Sequence, residues 1–321
     1  MGFIFMSFWK NKRVLVTGGG GFLGSHVVEK LKGRGVTGVF VVRSKDYNLA
    51  VEAEVIRLFK EHPADLVLHL AGLVGGILPN KEKPADYFYQ NLMMGTLMHH
   101  CSWRNGVQKF IAAGAGCGYP ESAPNPLKET SFWDGFPQKE SAPYSLAKRL
   151  LSIQSEAYFR QHGFVSVITI PGNIYGPYDN FNLLDAHVIP ALVRKFVEAT
   201  EKRASSVEVW GTGKAARDFV YAGDVAEGVL LAAETQDKYE LINLSSGRET
   251  PIREVVELLK KVTGFAGEIT WNTSRPDGQM HRRFDTSKAK QLLGWEARTG
   301  LEEGLRLTAD WYRQHQAEAR K

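Results

Sequence analysis

The glycine spacing at Gly18, Gly21 and Gly24 constrains the fold of this chain more than any other feature of the sequence. It follows the apolar run Arg13–Thr17, which predicts a buried parallel strand, and precedes a predicted helix from Ser25 to Lys32. Such a turn lets backbone approach a pyrophosphate, and the helix N-terminus adds N–H groups and partial positive charge. A flexible glycine turn without a ligand is the alternative. The predicted cofactor contacts here are Gly18, Gly21, Phe22, Leu23 and Gly24.

Alternation of short apolar runs with helical segments continues to about residue 173 and predicts an α/β fold with a Rossmann-type, doubly wound parallel sheet. After Gly176 loops and polar residues mix with a predicted helix over 187–200, and a run at 239–244 is predicted to return to the sheet. A length of 321 residues suits two lobes that share a cleft. We therefore predict a dinucleotide-binding domain of residues 1–173 plus about 216–245. Residues of about 174–215 plus 246–321 are predicted to form a smaller, discontinuous α/β substrate-binding lobe, closed by two helices and a loop.

Arg43 ends the second predicted strand, where NAD sites usually carry an acidic residue for the ribose 2′-hydroxyl. An arginine accommodates a 2′-phosphate instead, so the sequence favours NADP(H) over NAD(H). A solvated surface arginine is the other interpretation. After the next predicted strand, Ala71 and Gly72 begin a glycine-containing loop whose backbone can approach a nicotinamide.

Tyr144 and Lys148 stand four residues apart in a segment that Pro143 is well placed to open as a helix. Residues i and i+4 share a helix face, so the ammonium is expected to lower the pKa of the phenol. A tyrosine in that setting can exchange a proton near neutral pH. The spacing also arises by chance in a chain with 11 tyrosines, so the surrounding motifs decide its meaning.

Composition excludes several classes of protein. A net charge of +5 suits an anionic ligand, but there is no lysine or arginine block of the nucleic-acid-binding type. No apolar run reaches the length of a membrane span. The two cysteines, Cys101 and Cys117, suggest neither a disulfide framework nor a metal site, and the cytoplasm is the expected compartment.

Several segments resemble the extended short-chain dehydrogenase/reductases, and within them the GDP-L-fucose synthases. The resemblance covers nearly the whole chain, and its segments from Asn173 to Leu192 are the most specific. The matching segments are Thr17–Gly24, Leu73–Ile77, Tyr89–Asn91, Cys117–Pro120, Tyr144–Lys148, Asn173–Phe181, His187–Leu192, Val209–Gly213 with Arg217, Arg275–Gly278 and Leu293–Trp295.

The resemblance implies a reaction on GDP-4-keto-6-deoxy-D-mannose, with epimerisation at C3 and C5 and reduction of the C4 ketone by NADPH. Tyr144 would give a proton to O4, and Lys148 would assist it and hold the nicotinamide ribose. Cys117 would remove protons beside the ketone, as a thiolate of lowered pKa can, and His187 would act as the acid on the opposite face. A packing cysteine and a solvent-facing histidine are the alternatives for these two residues.

The resemblance also implies further contacts and an assembly. A homodimer would form through helices near Asp86–Cys101 and Tyr144–Arg160. The implied cofactor contacts include Ala71, Gly72, Asn91, Asn173 and His187, and the implied substrate contacts are Asn173, Lys195, Trp210, Arg217 and Arg283.

Two positions depart from the family pattern. Ala115 stands where the family has a hydroxyl partner of the tyrosine, and the next residue, Gly116, offers none. Loss of one oxyanion donor costs roughly 10²–10³ in rate. Ser145, adjacent to Tyr144 on the helix, is expected to point elsewhere. Gly20 replaces an arginine that some members carry, which leaves Arg43 as the main argument for NADP.

Three functions follow from these patterns. The first is a GDP-sugar epimerase–reductase. The second is a reductase or 4-epimerase of another nucleotide sugar, suggested by the altered loop at Ala115. The third is a catalytically silent NAD(P)-binding scaffold, against which the joint presence of Tyr144, Lys148, Cys117 and His187 argues.

Overall fold

The computed structural model describes residues 8–183, 185–275, 277 and 279–320. The first seven residues of the predicted dinucleotide domain therefore lie outside the described residues. The strands are β1 (Arg13–Thr17), β2 (Gly38–Val42), β3 (Leu66–His69), β4 (Lys109–Ala113), β5 (Val165–Pro171), β6 (Asn173–Tyr175), β7 (Ser206–Trp210), β8 (Ala216–Tyr221), β9 (Glu240–Leu244), β10 (Glu249–Pro251) and β11 (Glu268–Asn272).

The helices cover both faces of the main sheet or pack in a separate core. They are α1 (Phe22–Gly33), α2 (Glu52–Glu61), α3 (Ile77–Glu82), α4 (Pro84–Arg104), α5 (Ala142–His162), α6 (Val188–Glu201), α7 (Ala222–Thr235), α8 (Ile252–Thr263), α9 (Ser287–Leu293) and α10 (Leu301–Gln314). The prediction that two helices and a loop close the chain is wrong, because α8, α9 and α10 follow β9 together with strand β11.

The main sheet is parallel throughout and has the order β2-β1-β3-β4-β5-β9. Successive residues of β1 enter different cores: Val14 and Val16 pack on one face, and Leu15 on the other. Burial on both faces explains why this strand reads as a continuous apolar run. The predicted Rossmann-type sheet is confirmed. The order reverses between β1 and β3, so the loops after these strands flank the crevice in which such sheets bind ligands.

Two smaller sheets lie outside the main one. Strands β10, β8 and β6 form the first, and β11 with β7 forms the second. A third core, with Phe196, Val255 and Leu305, joins α6, α8 and α10 and supports this part of the molecule. The division into domains remains a prediction. Strand β8 pairs with β6 and β10, whereas α7 and β9 pack with the main sheet.

No helix in the described part of the chain is long and apolar enough to cross a membrane.

Candidate active site

The glycine turn after β1 has no room for a side chain at Gly18 or at Gly24. Gly18 has φ +69°, and a Cβ there would lie 2.7 Å from the backbone nitrogen of Ala71. A Cβ on Gly24 would lie 2.0 Å from the carbonyl oxygen of Gly18. The turn therefore packs against the loop after β3, and α1 packs against the turn. Helix α1 begins at Phe22, earlier than predicted, so Phe22 and Leu23 lie in the first turn, where backbone N–H groups lack helical partners.

Arg43 follows β2 and lies over Gly20. Its Nη1 is 3.0 Å from the position that a Cβ on Gly20 would take. The arginine that the resemblance places at residue 20 would thus compete with Arg43 for one space. Arg43 is exposed and, among the described residues, its guanidinium has no carboxylate partner. It remains available to an anion beside the glycine turn.

The loop after β3 is held by side chains from three elements. The hydroxyl of Thr17 contacts Nδ1 of His69 at 2.9 Å and accepts the backbone N–H of Ala71 at 3.2 Å. Asn91 on α4 accepts the N–H of Leu73 at 3.1 Å and donates to its carbonyl at 3.0 Å. Asn91, a predicted cofactor contact, therefore fixes the backbone of this loop.

Lys148 reaches the same loop from α5. Its Nζ lies 3.8 Å from the position that a Cβ on Gly72 would take. Burial lowers the pKa of Lys148 to about 8, and the nearby Cys117 thiol opposes this. Burial raises the pKa of Tyr144, and Cys117 and Tyr87 raise it further. The expectation that Lys148 lowers the pKa of Tyr144 is wrong for this structure, because desolvation of the phenol dominates. A protonated Tyr144 is suited to donate a proton.

Cys117 lies in the 3₁₀ turn Gly116–Gly118, directly after β4. Burial raises the pKa of its thiol, opposite to the expected lowering. A hydrogen bond with the Ser145 hydroxyl and the charges of Arg282 and Lys148 oppose that increase. The expectation that Ser145 points elsewhere is wrong, because the turn meets the buried face of α5 on which Ser145 lies. Cys117 is thus close enough to Tyr144 and to Lys148 to influence both electrostatically.

The turn beside Cys117 is closely packed. Ala115 is buried, and a Cβ on Gly116 would lie 2.8 Å from the ring of Phe284. The side chain of Arg282 donates a hydrogen bond to the carbonyl of Gly116. The segment that carries Arg282 and Phe284 thereby forms one wall of the turn. Sequence reasoning missed Arg282, although the next residue, Arg283, was a predicted substrate contact.

His187 precedes α6 at the edge of the crevice. The surrounding protein lowers the pKa of His187, and the charge of Asp185 opposes this. Burial raises the pKa of Tyr87 and Asp185 raises it further; the ring of Tyr87 packs edge-on against Tyr144 with centroids 6.3 Å apart. The backbone carbonyl of Asp185 lies 3.3 Å from the position of a Cβ on Gly76. The segment before α6 therefore packs against the loop after β3, close to the paired rings of Tyr87 and Tyr144.

Trp210 ends β7 with 53% of its surface exposed and presents an aromatic face between two cations. Nζ of Lys195 is 5.2 Å from its ring centroid, and the guanidinium of Arg275 is 4.9 Å away. Lys195 also donates to the carbonyl of Glu208 at 3.0 Å. Lys195 and Trp210, two predicted substrate contacts, thus lie together, and such a platform suits a planar, anionic ligand.

Arg217 and Arg283 differ in their surroundings. Arg217 is half-buried on β8, donates to the carbonyls of Ala216 and Gln279, and has its pKa lowered by burial and by the charge of Arg282. The side chain of Arg283 is exposed, and its backbone N–H donates to Asn125. Arg217 therefore adjoins Arg282, and these neighbouring cations suit a polyanion.

Asp218 organises this side of the crevice, and sequence reasoning missed it. Its buried carboxylate accepts hydrogen bonds from both the N–H and the hydroxyl of Ser246, and from the N–H groups of Gly247 and Phe284. Its carbonyl accepts the amide of Asn173 at 3.2 Å. Burial raises the pKa of Asp218, whereas these hydrogen bonds lower it. An acidic residue in a strand carries no signal in the sequence that would single out this role.

Comparisons with known proteins extend these observations. Residues 14–245 match the NAD dependent epimerase/dehydratase family. The chain is 36% identical over 303 residues to GDP-L-fucose synthase 1 of Arabidopsis thaliana, covering 94% of each chain.

Two solved structures have the same fold over nearly their whole length. A GDP-L-fucose synthetase from Naegleria fowleri bound to NADP is 28% identical, with a TM-score of 0.91 and coverage of 97% of this chain and 96% of that one. A GDP-6-OMe-4-keto-L-xylo-heptose reductase from C. jejuni is 30% identical, with a TM-score of 0.87 and coverage of 95% and 98%.

Proposed function

The chain belongs to the NAD dependent epimerase/dehydratase family, and on that premise we propose that it is an NADPH-dependent nucleotide-sugar epimerase/reductase of the GDP-L-fucose synthase type. The proposed substrate is GDP-4-keto-6-deoxy-D-mannose. The observation that carries this proposal is the grouping of Cys117 with Tyr144 and Lys148. A ketone reductase needs only the tyrosine and the lysine, whereas a thiol beside them supplies a second acid–base group.

The residues around the crevice fit NADP(H). The glycines of the turn carry no Cβ, so a ligand can approach their backbone closely, and the first turn of α1 presents N–H groups to it. Arg43, beside the turn, has no carboxylate partner in the described part of the chain. Lys148 reaches Gly72, where it would hold the nicotinamide ribose. The NADP-bound relative from Naegleria fowleri supports the same cofactor. NADPH, when bound, supplies the hydride for ketone reduction.

Tyr144 is proposed to protonate the C4 oxygen. Its pKa is raised by burial, so the phenol keeps its proton until charge develops on the ketone oxygen. Lys148, with its pKa lowered to about 8, extends toward Gly72 from the helix that carries Tyr144 and would stabilise that charge. The same phenol can stabilise an enolate oxygen during epimerisation.

Cys117 and His187 are proposed to invert C3 and C5. The Cys117 thiolate removes a proton beside the ketone, the electron pair moves into an enolate, and His187 returns a proton from the opposite face. Cys117 then gives up its proton, and His187 takes one from water. Burial favours the neutral thiol, and Ser145, Arg282 and Lys148 favour the thiolate. At His187 desolvation lowers the pKa and favours the neutral imidazole, and the charge of Asp185 favours the protonated form that the acid role requires.

The diphosphate and base are proposed to bind in the second lobe. Arg217 supports the diphosphate with a planar guanidinium suited to paired hydrogen bonds. Lys195 and Trp210 supply a cation and an exposed ring beside it. Asn173 on β6 is held by its bond to the carbonyl of Asp218 on the neighbouring strand β8, and Arg283 is an exposed candidate.

A second function is reduction of another GDP-linked 4-keto sugar without epimerisation. The specific observations that favour it are the loss of a hydroxyl at Ala115 and the similarity to the heptose reductase from C. jejuni.

One experiment separates these functions. The protein is incubated with GDP-4-keto-6-deoxy-D-mannose in deuterated water without NADPH, and deuterium at C3 and C5 is followed by NMR; NADPH oxidation is then measured. Exchange at both carbons followed by oxidation supports the epimerase–reductase. Oxidation without exchange supports the plain reductase, and neither reaction supports a silent scaffold. Cys117→Ser is the matched variant, expected to lose exchange and retain reduction.

We also propose a homodimer in a reducing cytoplasm. Helices α4 and α5 pack together and expose Phe88, Tyr89, Leu150 and Ile153. Pairing of these helices with those of a second copy would cover that surface. Ile153→Glu is expected to give a monomer by light scattering, and a monomeric unmodified protein would refute the dimer. A catalytic Cys117 requires a reduced thiol, which is why we propose the cytoplasm.

A further inference from the structure

Arg282 holds the turn that carries Cys117 from the other side of the crevice. One end of its guanidinium donates to the carbonyl of Gly116, and Nη1 donates to Oε1 of Gln279 at 2.9 Å. Its backbone N–H donates to Glu249 at 2.7 Å. These three contacts fix the position of Arg282 at its backbone and at both ends of its guanidinium.

No carboxylate neutralises this guanidinium within the part of the chain that the structure describes. Glu249 accepts only its backbone N–H, and the second oxygen of that carboxylate is 3.3 Å from His281. Desolvation lowers the pKa of Arg282, and the Cys117 thiol raises it in return. A cation without a carboxylate partner favours the charged form of a neighbouring thiol, and Arg282 and Lys148 are the two cations that lower the pKa of Cys117.

Ser145 contacts Cys117 from the opposite direction. It is fully buried on α5, one residue after Tyr144; its hydroxyl donates to that of Ser141 at 3.3 Å and lies close enough to Cys117 to lower the pKa of the thiol. Cys117 therefore belongs to the turn that Arg282 holds, and its thiol adjoins a buried hydroxyl on α5. A neighbouring positive charge lowers the pKa of a cysteine thiol and makes it more reactive, and a hydrogen bond to the thiolate favours the same charged form.

We propose that Arg282 is a positioning residue that holds the Gly116–Cys117 turn and stabilises the Cys117 thiolate, with Ser145 fixing the orientation of the sulfur. This inference rests on the proposed function for its catalytic meaning, since the thiolate is the base that would remove the proton beside the ketone. It goes beyond that function by assigning the activation of Cys117 to Arg282, to which the proposed function gives no role.

The test measures the thiol directly. The rate of alkylation of Cys117 by iodoacetamide is followed against pH by mass spectrometry of the peptide that carries it, in the unmodified protein and in Arg282→Gln. The variant is expected to move the midpoint of this profile upward by about one pH unit. Arg282→Lys, which keeps the charge, is expected to restore most of the difference. The adjacent and exposed Arg283→Gln is the control and is expected to leave the midpoint unchanged.

Cys101 provides an internal reference for folding, because it is buried in another core of the same chain. Its alkylation should stay slow in every variant. If Arg282→Gln opens Cys101 to the reagent, Ser145→Ala takes its place and is expected to move the midpoint in the same direction. Equal midpoints for the unmodified protein and a folded Arg282→Gln would overturn the proposal, as would a raised substrate KM with no shift of the midpoint.

Exchange of deuterium into the sugar separates this inference from the proposed function. Slower exchange in Arg282→Gln, with the lost rate regained at higher pH, supports both. A shifted alkylation midpoint in a protein that exchanges no deuterium contradicts the epimerase function and leaves the assignment of Arg282 standing.

Discussion

The two sides of the crevice are held together by different kinds of contact. On the cofactor side, Gly18 and Gly24 fit because a Cβ has no room, and Asn91 holds a loop with neutral hydrogen bonds. On the substrate side, the buried carboxylate of Asp218 and the guanidinium of Arg282 organise the segment 279–285. The first side depends on shape and the second on charge.

This difference has energetic consequences. A steric fit is insensitive to pH and salt, and it fails when a methyl group is added. A network of buried charges carries a desolvation cost that its hydrogen bonds must offset, and it fails when one partner is removed. Substitutions on the cofactor side should therefore change NADPH affinity and stability, whereas those on the substrate side should change KM and the behaviour of Cys117.

The largest effect is expected at Tyr144, where the two sides meet. Tyr144→Phe removes the proposed proton donor and should lower kcat by about 10²–10⁴, because general acid catalysis contributes a factor of that size. NADPH should still bind with unchanged Kd, measured by fluorescence titration beside NADPH oxidation. Turnover within tenfold of the unmodified protein would refute the assignment.

Gly24→Ala tests the steric fit. The new methyl group would meet the carbonyl of Gly18 at 2.0 Å, so the turn must move. Overpacking of this kind costs about 1–3 kcal/mol or more, and we expect NADPH affinity to fall about 100-fold as the turn distorts.

The matched control for that variant is Gly33→Ala, at the end of the same helix. Nothing lies within 4 Å of a Cβ at Gly33, so its stability should stay equal or rise by about 0.5–1 kcal/mol. Thermal unfolding and NADPH titration measure both variants. Equal Tm values for the two would show that the turn is not built on steric exclusion.

Lys148 should make stability depend on pH. Its pKa is about 8 in the folded protein, below the ordinary 10.5, so burial of the charged ammonium costs stability below pH 8. That cost is relieved as pH rises from 8 to 10.5. Relative to Lys148→Met, the unmodified protein should gain up to about 3 kcal/mol across this window, measured by urea unfolding. The exposed Lys32→Met should show no such trend, and a difference that stays constant with pH would contradict the prediction.

Arg217→Lys tests the charged side. Lysine keeps the charge but not the planar pair of donors, so KM for the nucleotide sugar should rise about tenfold while kcat stays within about threefold. Steady-state kinetics give both constants, and the Kd of NADPH should not move. An unchanged KM would place the diphosphate elsewhere.

The smallest effect is expected at Arg43. Its guanidinium is exposed, and exposed ion pairs are worth at most about 1 kcal/mol, so Arg43→Ala should reduce the preference for NADP(H) over NAD(H) by about fivefold. Titration with both cofactors measures the ratio. A preference that survives intact would identify another residue as the contact for the 2′-phosphate.

The same contrast explains what could be predicted from the sequence. The glycine turn and its flanking strand and helix lie within about twenty consecutive residues, so spacing and periodicity were sufficient. The hydrogen bond between Arg282 and Gly116 joins residues 166 positions apart, and no local pattern predicts it. Asp218 was missed for the same reason.

Two predictions failed because residue spacing shows on which side of a helix a side chain lies, but not how deeply it is buried or what packs against it. The four-residue interval places Lys148 near Tyr144, but the degree of burial that raises the pKa of Tyr144 depends on the whole crevice. Ser145 was expected to point away from the reacting groups because it neighbours Tyr144 on the helix. The turn at Cys117 approaches α5 from that side, which only the packed structure reveals.

The wall formed by Arg282 and Phe284 also limits which segments can be exchanged between two related enzymes. This wall is joined to the first lobe by backbone hydrogen bonds: Leu127 donates to the carbonyl of Arg283 at 2.8 Å, and Asp285 donates to that of Leu127 at 2.9 Å. A chimera that exchanged residues 246–321 between two relatives, in order to transfer sugar recognition, would also exchange the lining of the turn at Cys117. Modular engineering of sugar specificity therefore needs a boundary that keeps residues 282–285 with their original parent.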